Sequence, residues 1–187
     1  MKCCSVVLMF VLASVMFAAG VLFKPVGTKA GEQQAAAQGP IYAQLSSMIT
    51  QSPKGPDPLI VSMENDDAVA GLDHSDKDKI VVKTPGAYFI MAAAQIAKDS
   101  GTQDGYVDLW LKQNGKDVDN SGTRQAVKDA KFTTVLVCQG IAECKAGDVF
   151  TVVISASSPG TGLGIHAIKP KGEATIPSII FSMYKIN

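Results

Sequence analysis

The chain has 187 residues, with 17 Lys and Arg balanced by 17 Asp and Glu, and reads as one domain plus an appendage with no net charge. No basic stripe follows any expected strand, which argues against nucleic acid as a partner. Two histidines and four cysteines, with no CxxC or Cys/His spacing, leave no zinc motif.

Cys3 to Phe23 is an uncharged apolar run between Lys2 and Lys24. It is long for a signal-peptide core of about 7–15 residues, and it just reaches the roughly 20 apolar residues that span a bilayer. Residues 1–23 therefore read as a signal peptide or a signal anchor. Both readings export the rest, to a secreted or extracytoplasmic place, and membrane contact runs only through this segment if it stays uncleaved. Its removal takes away only Lys2 and leaves a net charge of about −1. Residues 24–40, rich in Ala, Gln and Gly, read as a flexible tether without a collagen-like or heptad repeat.

Residues 41–187 form the domain, and its pattern is that of strands cut by turns. Ile41 to Ile49 alternates loosely, a Pro/Gly turn follows, and Leu59 to Met63 is a short strand. Glu64 to Lys79 is polar and reads as a long surface loop. Ile80 to Val82 resumes a strand, and Pro85-Gly86 turns into Ala87 to Ala97. There Tyr88, Ile90, Ala92, Ala94 and Ile96 share one face. In Tyr106 to Gln113, Val107, Leu109 and Leu111 alternate with Tyr106, Asp108, Trp110 and Lys112, the period of a half-buried strand. Asn114-Gly115 closes a two-residue hairpin, because both central residues of a type I′ turn need positive φ.

Phe132 to Cys144 is a long strand, Ala146-Gly147-Asp148 a turn, and Val149 to Ala156 a strand buried on both faces. A Gly- and Pro-rich loop, Ser157 to Gly172, leads to the last strand, Ile176 to Ile186. Ile179, Phe181 and Met183 lie on one of its faces, Ile180, Tyr184 and Ile186 on the other. A strand apolar on both faces needs cover on both sides. Another subunit is one source of that cover. Turn signals at intervals of roughly 8–12 residues, with no helical period, imply an all-β sandwich or jelly roll.

Few residues suggest chemistry. Gly160, Gly162 and Gly164 make GxGxG rather than GxGxxG, and no helix follows to supply an anion-binding N-terminus. Asp66, Asp67, Asp73, Asp76 and Asp78 share a stretch with His74. Hard oxygen ligands suit calcium, so Asp73, Asp76 and Asp78 are its candidates, although Lys77 and Lys79 interrupt them and no calcium-loop spacing fits. No other cofactor is implied. His74 and His166 stand apart from any nucleophile motif. Cys138 and Cys144 occupy what reads as one strand, which spaces them at about 20 Å, too far for a disulfide unless the chain doubles back at Gly140. Trp110, with Tyr106 on the same polar strand face, is a ligand-contact candidate, as exposed aromatics at interfaces and sugar platforms often are.

Five segments, in order, resemble one family. "PLIVSMENDD" and "DKIVVKTPG" give strand, loop, short strand and Pro-Gly turn; "TPGAYFI" resembles a strand entry; "LWLKQNGKDV" resembles a hairpin. "CKAGDVFTVVI" resembles a Gly-Asp turn into a strand, and "TIPSIIFSMY" the closing strand. Together, over Ile41 to Asn187, the chain resembles the globular head of complement C1q and, through it, tumour-necrosis-factor ligands. The resemblance implies a ten-strand jelly roll that assembles as a homotrimer. By resemblance, Tyr88, Ile176, Ser178, Ile180 and Tyr184 help to form the core and the threefold interface. Ile90 and Ile176 stand where an aromatic is usual, and Ser178 where Gly is preferred.

The expected function is that of an exported, non-enzymatic recognition module, trimeric and multivalent, binding an extracellular protein or glycan. The loops Glu64–Lys79, Asp99–Gly105, Asn120–Lys131 and Ser157–Gly172 are the expected binding surface, since loops on a rigid scaffold usually carry function. The alternatives are a structural surface or virion assembly protein on the same jelly roll, and a carbohydrate-binding sandwich.

Overall fold

A computed structural model describes residues 39–100 and 104–186; the export segment 1–23 and most of the tether 24–40 lie outside the described residues. Among the described residues no helix occurs, and the strands form a sandwich of two antiparallel sheets. In chain order they are β1 Tyr42–Ser47, β2 Leu59–Ile60, β3 Asn65–Ala70, β4 Leu72–Asp76, β5 Lys79–Val82, β6 Gly86–Ala97 and β7 Gly105–Gln113. There follow β8 Lys116–Asp117, β9 Thr123–Val127, β10 Thr134–Cys144, β11 Val149–Ala156, β12 Gly164–Ile165 and β13 Ile179–Lys185.

The first sheet runs β10-β6-β13-β1-β3, with β12 added to β6. The second runs β4-β5-β11-β7-β8, with β2 on β11 and β9 on β7. From β5 onward the chain repeatedly changes sheet: β6 in the first, β7 to β9 in the second, β10 in the first, β11 in the second, then β12 and β13 in the first.

Period-2 alternation builds the core. The inner face of β6 presents Tyr88, Ile90, Ala92, Ala94 and Ile96, all fully buried. Its neighbours complement it in size, with Phe181 opposite Ala92 and Ile179 opposite Ala94 across the ladder. Small residues on the central strand make room for large ones beside it, which lets the layer fill at interior density. Leu109, Leu111, Phe150, Val152 and Ile154 close the core from the second sheet.

Five expectations change. Glu64–Lys79 is not a loop: β3 and β4 occupy it, and the chain passes between the sheets at Gly71. Gly71 has φ +70°, and a Cβ there would stand 2.9 Å from Ile41 Cγ1, so both backbone and space require glycine. Asn120–Lys131 contains β9, and Ser157–Gly172 contains β12. These are edge or very short strands, whose polar outward residues hide the alternation. Leu59–Met63 is strand only at Leu59–Ile60, although Val61 and Met63 are fully buried. Finally, β11 is closed on its outer side only at Val153, since Thr151 and Ser155 are half-buried there.

The Asn114-Gly115 hairpin forms as expected, with φ +53° and +78°. Its tip is laced to the β10–β11 turn by Asp148. That carboxylate accepts from Asn114 Nδ2 at 2.8 Å, Gln113 Nε2 at 2.9 Å and the Lys145 backbone N–H at 2.8 Å. The Lys145 amide first, then the Asn114 amide, hold Asp148 below the ordinary carboxylate value. A depressed carboxylate stabilises the fold above its unfolded pKa and loses that contribution as pH falls through the folded one. Asp148→Ala is therefore expected to lower Tm at neutral pH, with the gap to wild type closing below about pH 4; circular dichroism melts across pH check this. Phe181→Ala removes the largest side chain of the β13 inner face and is expected to cost about 3–5 kcal/mol, read as a lower urea midpoint.

Candidate functional site

The two outer faces of the sandwich differ in chemistry. On the first sheet, register sets Ile141, Phe89, Tyr184 and Tyr42 side by side across β10, β6, β13 and β1. A second rung sets Val137, Ala93, Ile180 and Ser46 in line. Among the outward positions of β6, β10 and β13, Glu143 is the one charged residue. Ile141 is 66% exposed and Tyr184 48%. The Phe89 and Tyr184 rings lie 5.3 Å apart at a tilt of 37°. Between these two rungs a third carries Gln139, Met91, Ser182 and Gln44, so the apolar groups stand in two rows joined through Met91. Exposed apolar side chains gathered in this way are typical of interaction surfaces.

The interface candidates divide between inside and outside. Ile176, Ile180 and Tyr184 are exposed. Tyr88 is fully buried in the core, its hydroxyl donating to the Thr84 carbonyl at 2.7 Å. Ser178 is also fully buried, and its N–H and hydroxyl both donate to the Ser47 carbonyl. Neither Tyr88 nor Ser178 reaches the surface of the subunit.

The outer face of the second sheet is polar and aromatic. Tyr106, Asp108 and Trp110 alternate along β7, and Arg124 on β9 stands opposite Asp108. Arg124 clamps Asp108 with Nε to Oδ1 at 2.6 Å and Nη2 to Oδ2 at 2.9 Å. The same guanidinium lies 3.8 Å from the centre of the Tyr106 ring. Trp110 Nε1 donates to Asp117 Oδ1 at 2.9 Å, which pins the indole beside β8. Between these pinned groups lies a surface slot of about 260 Å³, lined by Asp108, Leu109, Trp110, Gly122, Thr123 and Arg124. Sequence reading found Tyr106 and Trp110 but missed Arg124, which fell in an expected loop. One signal was available: Arg124 is the chain's sole arginine and Trp110 its sole tryptophan.

The calcium candidates are not gathered. Asp73 accepts from the Ser75 amide, Asp76 pairs with Lys79 Nζ at 2.9 Å, and Asp78 accepts from Ser62. Among the described residues no three His, Cys, Asp or Glu side chains converge to hold a metal. His74 Nδ1 meets Asp66 Oδ1 at 2.5 Å, tying β4 to β3, while its buried Nε2 has no hydrogen-bond partner. His166 bonds the Gly162 carbonyl through Nε2 at 2.7 Å. Gly162, at φ +76°, is packed against the Asp99 side chain with no space for a Cβ, so the glycine run makes a close-packed turn. Of the Asp99–Gly105 loop, residues 101–103 lie outside the described residues.

β10 runs without a break through Gly140, so Cys138 and Cys144 stay apart as buried free thiols. Burial pushes Cys138 up to about 12 and Cys144 up to about 11. No protein-family model matches the chain, and no curated protein matches it either.

Thiolate is the reactive form of cysteine. In the folded protein at neutral pH, Cys138 and Cys144 are expected to resist maleimide labelling, and to react fully once denatured. Peptide mapping by mass spectrometry separates them from Cys3 and Cys4.

Proposed function

We propose that the chain is an exported, non-enzymatic recognition module of the complement C1q and tumour-necrosis-factor-like jelly-roll class, working as a homotrimer. The observation that carries this reading is the apolar outer face of the first sheet. Ile141, Phe89, Tyr184 and Tyr42 in one row, and Val137 and Ile180 in another joined to it through Met91, are apolar groups that water solvates poorly, and a second and third copy would cover them. Two further features support it. From β5 onward the chain crosses repeatedly between the two antiparallel sheets, as a jelly roll would require. The sequence segments that resemble the family fall on β2, β3 and β5 to β8, on the β10–β11 turn with β11, and on β13 with its lead-in.

Trimerisation through the first sheet leaves the second sheet and its loops facing outward. Its mechanism is multivalency: three copies of one weak site on a rigid unit raise avidity without any new contact. Export by the apolar segment 1–23 puts this module outside the cytoplasm, free or tethered through residues 24–40.

Residues 38–187 are expected to elute at three times the monomer mass in size-exclusion chromatography with light scattering. The double variant Ile141→Lys, Tyr184→Lys places unpaired charges in the patch and is expected to elute as a folded monomer with an unchanged circular dichroism spectrum. A monomeric wild type sinks the trimer. Assemblies much larger than three copies favour the structural assembly role instead.

A further inference from the structure

The slot on the outer face of the second sheet combines features that none of its residues has alone. Its two side walls are immobilised before any ligand arrives. Trp110 is held by Asp117 on one side; Arg124 is held on the other by a two-point clamp to Asp108 and by the Tyr106 ring. Ser155 Oγ, 3.3 Å from Asp108 Oδ2, steadies the clamp from β11. Binding to walls already locked avoids the entropy of ordering them. Gly122 lines the slot, and a Cβ there would stand in ordinary van der Waals contact, 3.9 Å from Trp110 Cβ.

The electrostatics select against a charged ligand. Arg124 is paired with Asp108, and Asp117 at the rim is paired with Lys112 Nζ at 3.5 Å, so two balanced ion pairs leave no net charge for an anion or a cation. Donors nevertheless remain. A guanidinium has five N–H groups, and the clamp uses two of them, leaving three for neutral acceptors. Asp117, whose Oδ1 serves Trp110, is 71% exposed and offers its second oxygen to hydroxyl donors. The volume, about 260 Å³, falls below that of ordinary drug-sized pockets and suits a single ring.

We infer that this slot is a binding site for a neutral pyranose, one hexose unit of a glycan. A pyranose has one apolar C–H face and a rim of hydroxyls, the complement of an aromatic wall bordered by Arg124 and Asp117. The inference deepens the recognition reading and rests on it for avidity alone; each slot lies within one subunit. Lysine cannot replace Arg124, because only a planar fork can clamp Asp108, lie on Tyr106 and still present spare donors.

The sole tryptophan makes the test direct. The full-length protein is titrated with methyl glycosides of neutral hexoses, with a methyl uronide and inorganic phosphate as charged probes, while Trp110 emission is followed. The expected result is a saturable millimolar change with at least one neutral hexoside. Arg124→Ala is expected to weaken it by about tenfold or more, equivalent to 1.4 kcal/mol. Trp110→Phe, read by ligand-observed NMR, weakens the same contact without removing the ring. The monomeric Ile141→Lys, Tyr184→Lys variant is expected to keep the affinity for a single hexoside, so failure of the trimer and failure of the sugar site are read separately. The proposal is overturned if no neutral hexoside gives a saturable change, if Arg124→Ala responds like wild type, or if only the charged probes bind.

Discussion

The antiparallel seating of β13 between β1 and β6 is the interaction on which the rest of the molecule depends. It joins residues from opposite ends of the domain, Leu45 to Phe181 and Phe181 to Ala92, in continuous ladders. Without it, β1 and β3 would have no route into the first sheet, and the inner face of β6 would lose Phe181 and Ile179. Such long-range pairing carries a loop-closure cost, which ladders on both edges of β13 and its buried inner face offset. The last strand is thus the keystone of the first sheet.

That same strand explains why the two outer faces diverge. Its inward residues close the core, while its outward residues, Ile180 and Tyr184, continue the apolar rungs begun by β10 and β6. An apolar outer face on a central strand is costly in a free subunit and favourable in an assembly. The second sheet reverses this economy. Many of its outer positions are polar or amphipathic, and several are tied to a partner, as are Arg124 to Asp108 and Trp110 to Asp117, while Asp148 in the neighbouring turn ties down the hairpin tip. In the proposed reading, one side serves contacts between copies and the other a hydrated ligand.

Much of this was legible in the residues. β6, β7, β10 and β13 announced themselves because half-buried strands alternate with period two, and Asn114-Gly115 named its own turn type. The separation of Cys138 and Cys144 followed from strand rise alone. β3, β4, β9 and β12 were not legible. β3 and β9 present mostly polar residues outward, and β12 is two residues long, so burial did not imprint a period on them. Arg124 was hidden for the same reason, lying on β9 and gaining meaning only from Asp108 on another strand.

The sequence by itself determined the class of architecture, the strands that carry the core, the hairpin, and the two aromatic residues worth watching. These are local properties: alternation, turn chemistry and spacing all act within about ten residues. Tertiary structure alone decided which strands are neighbours and therefore which side chains meet. It sent Tyr88 and Ser178 inward and left Tyr184 outward, it spread the aspartates instead of gathering them, and it set the sole arginine across a slot from the sole tryptophan. Sheet register brings together residues far apart along the chain, and no local pattern encodes which partner a strand will choose.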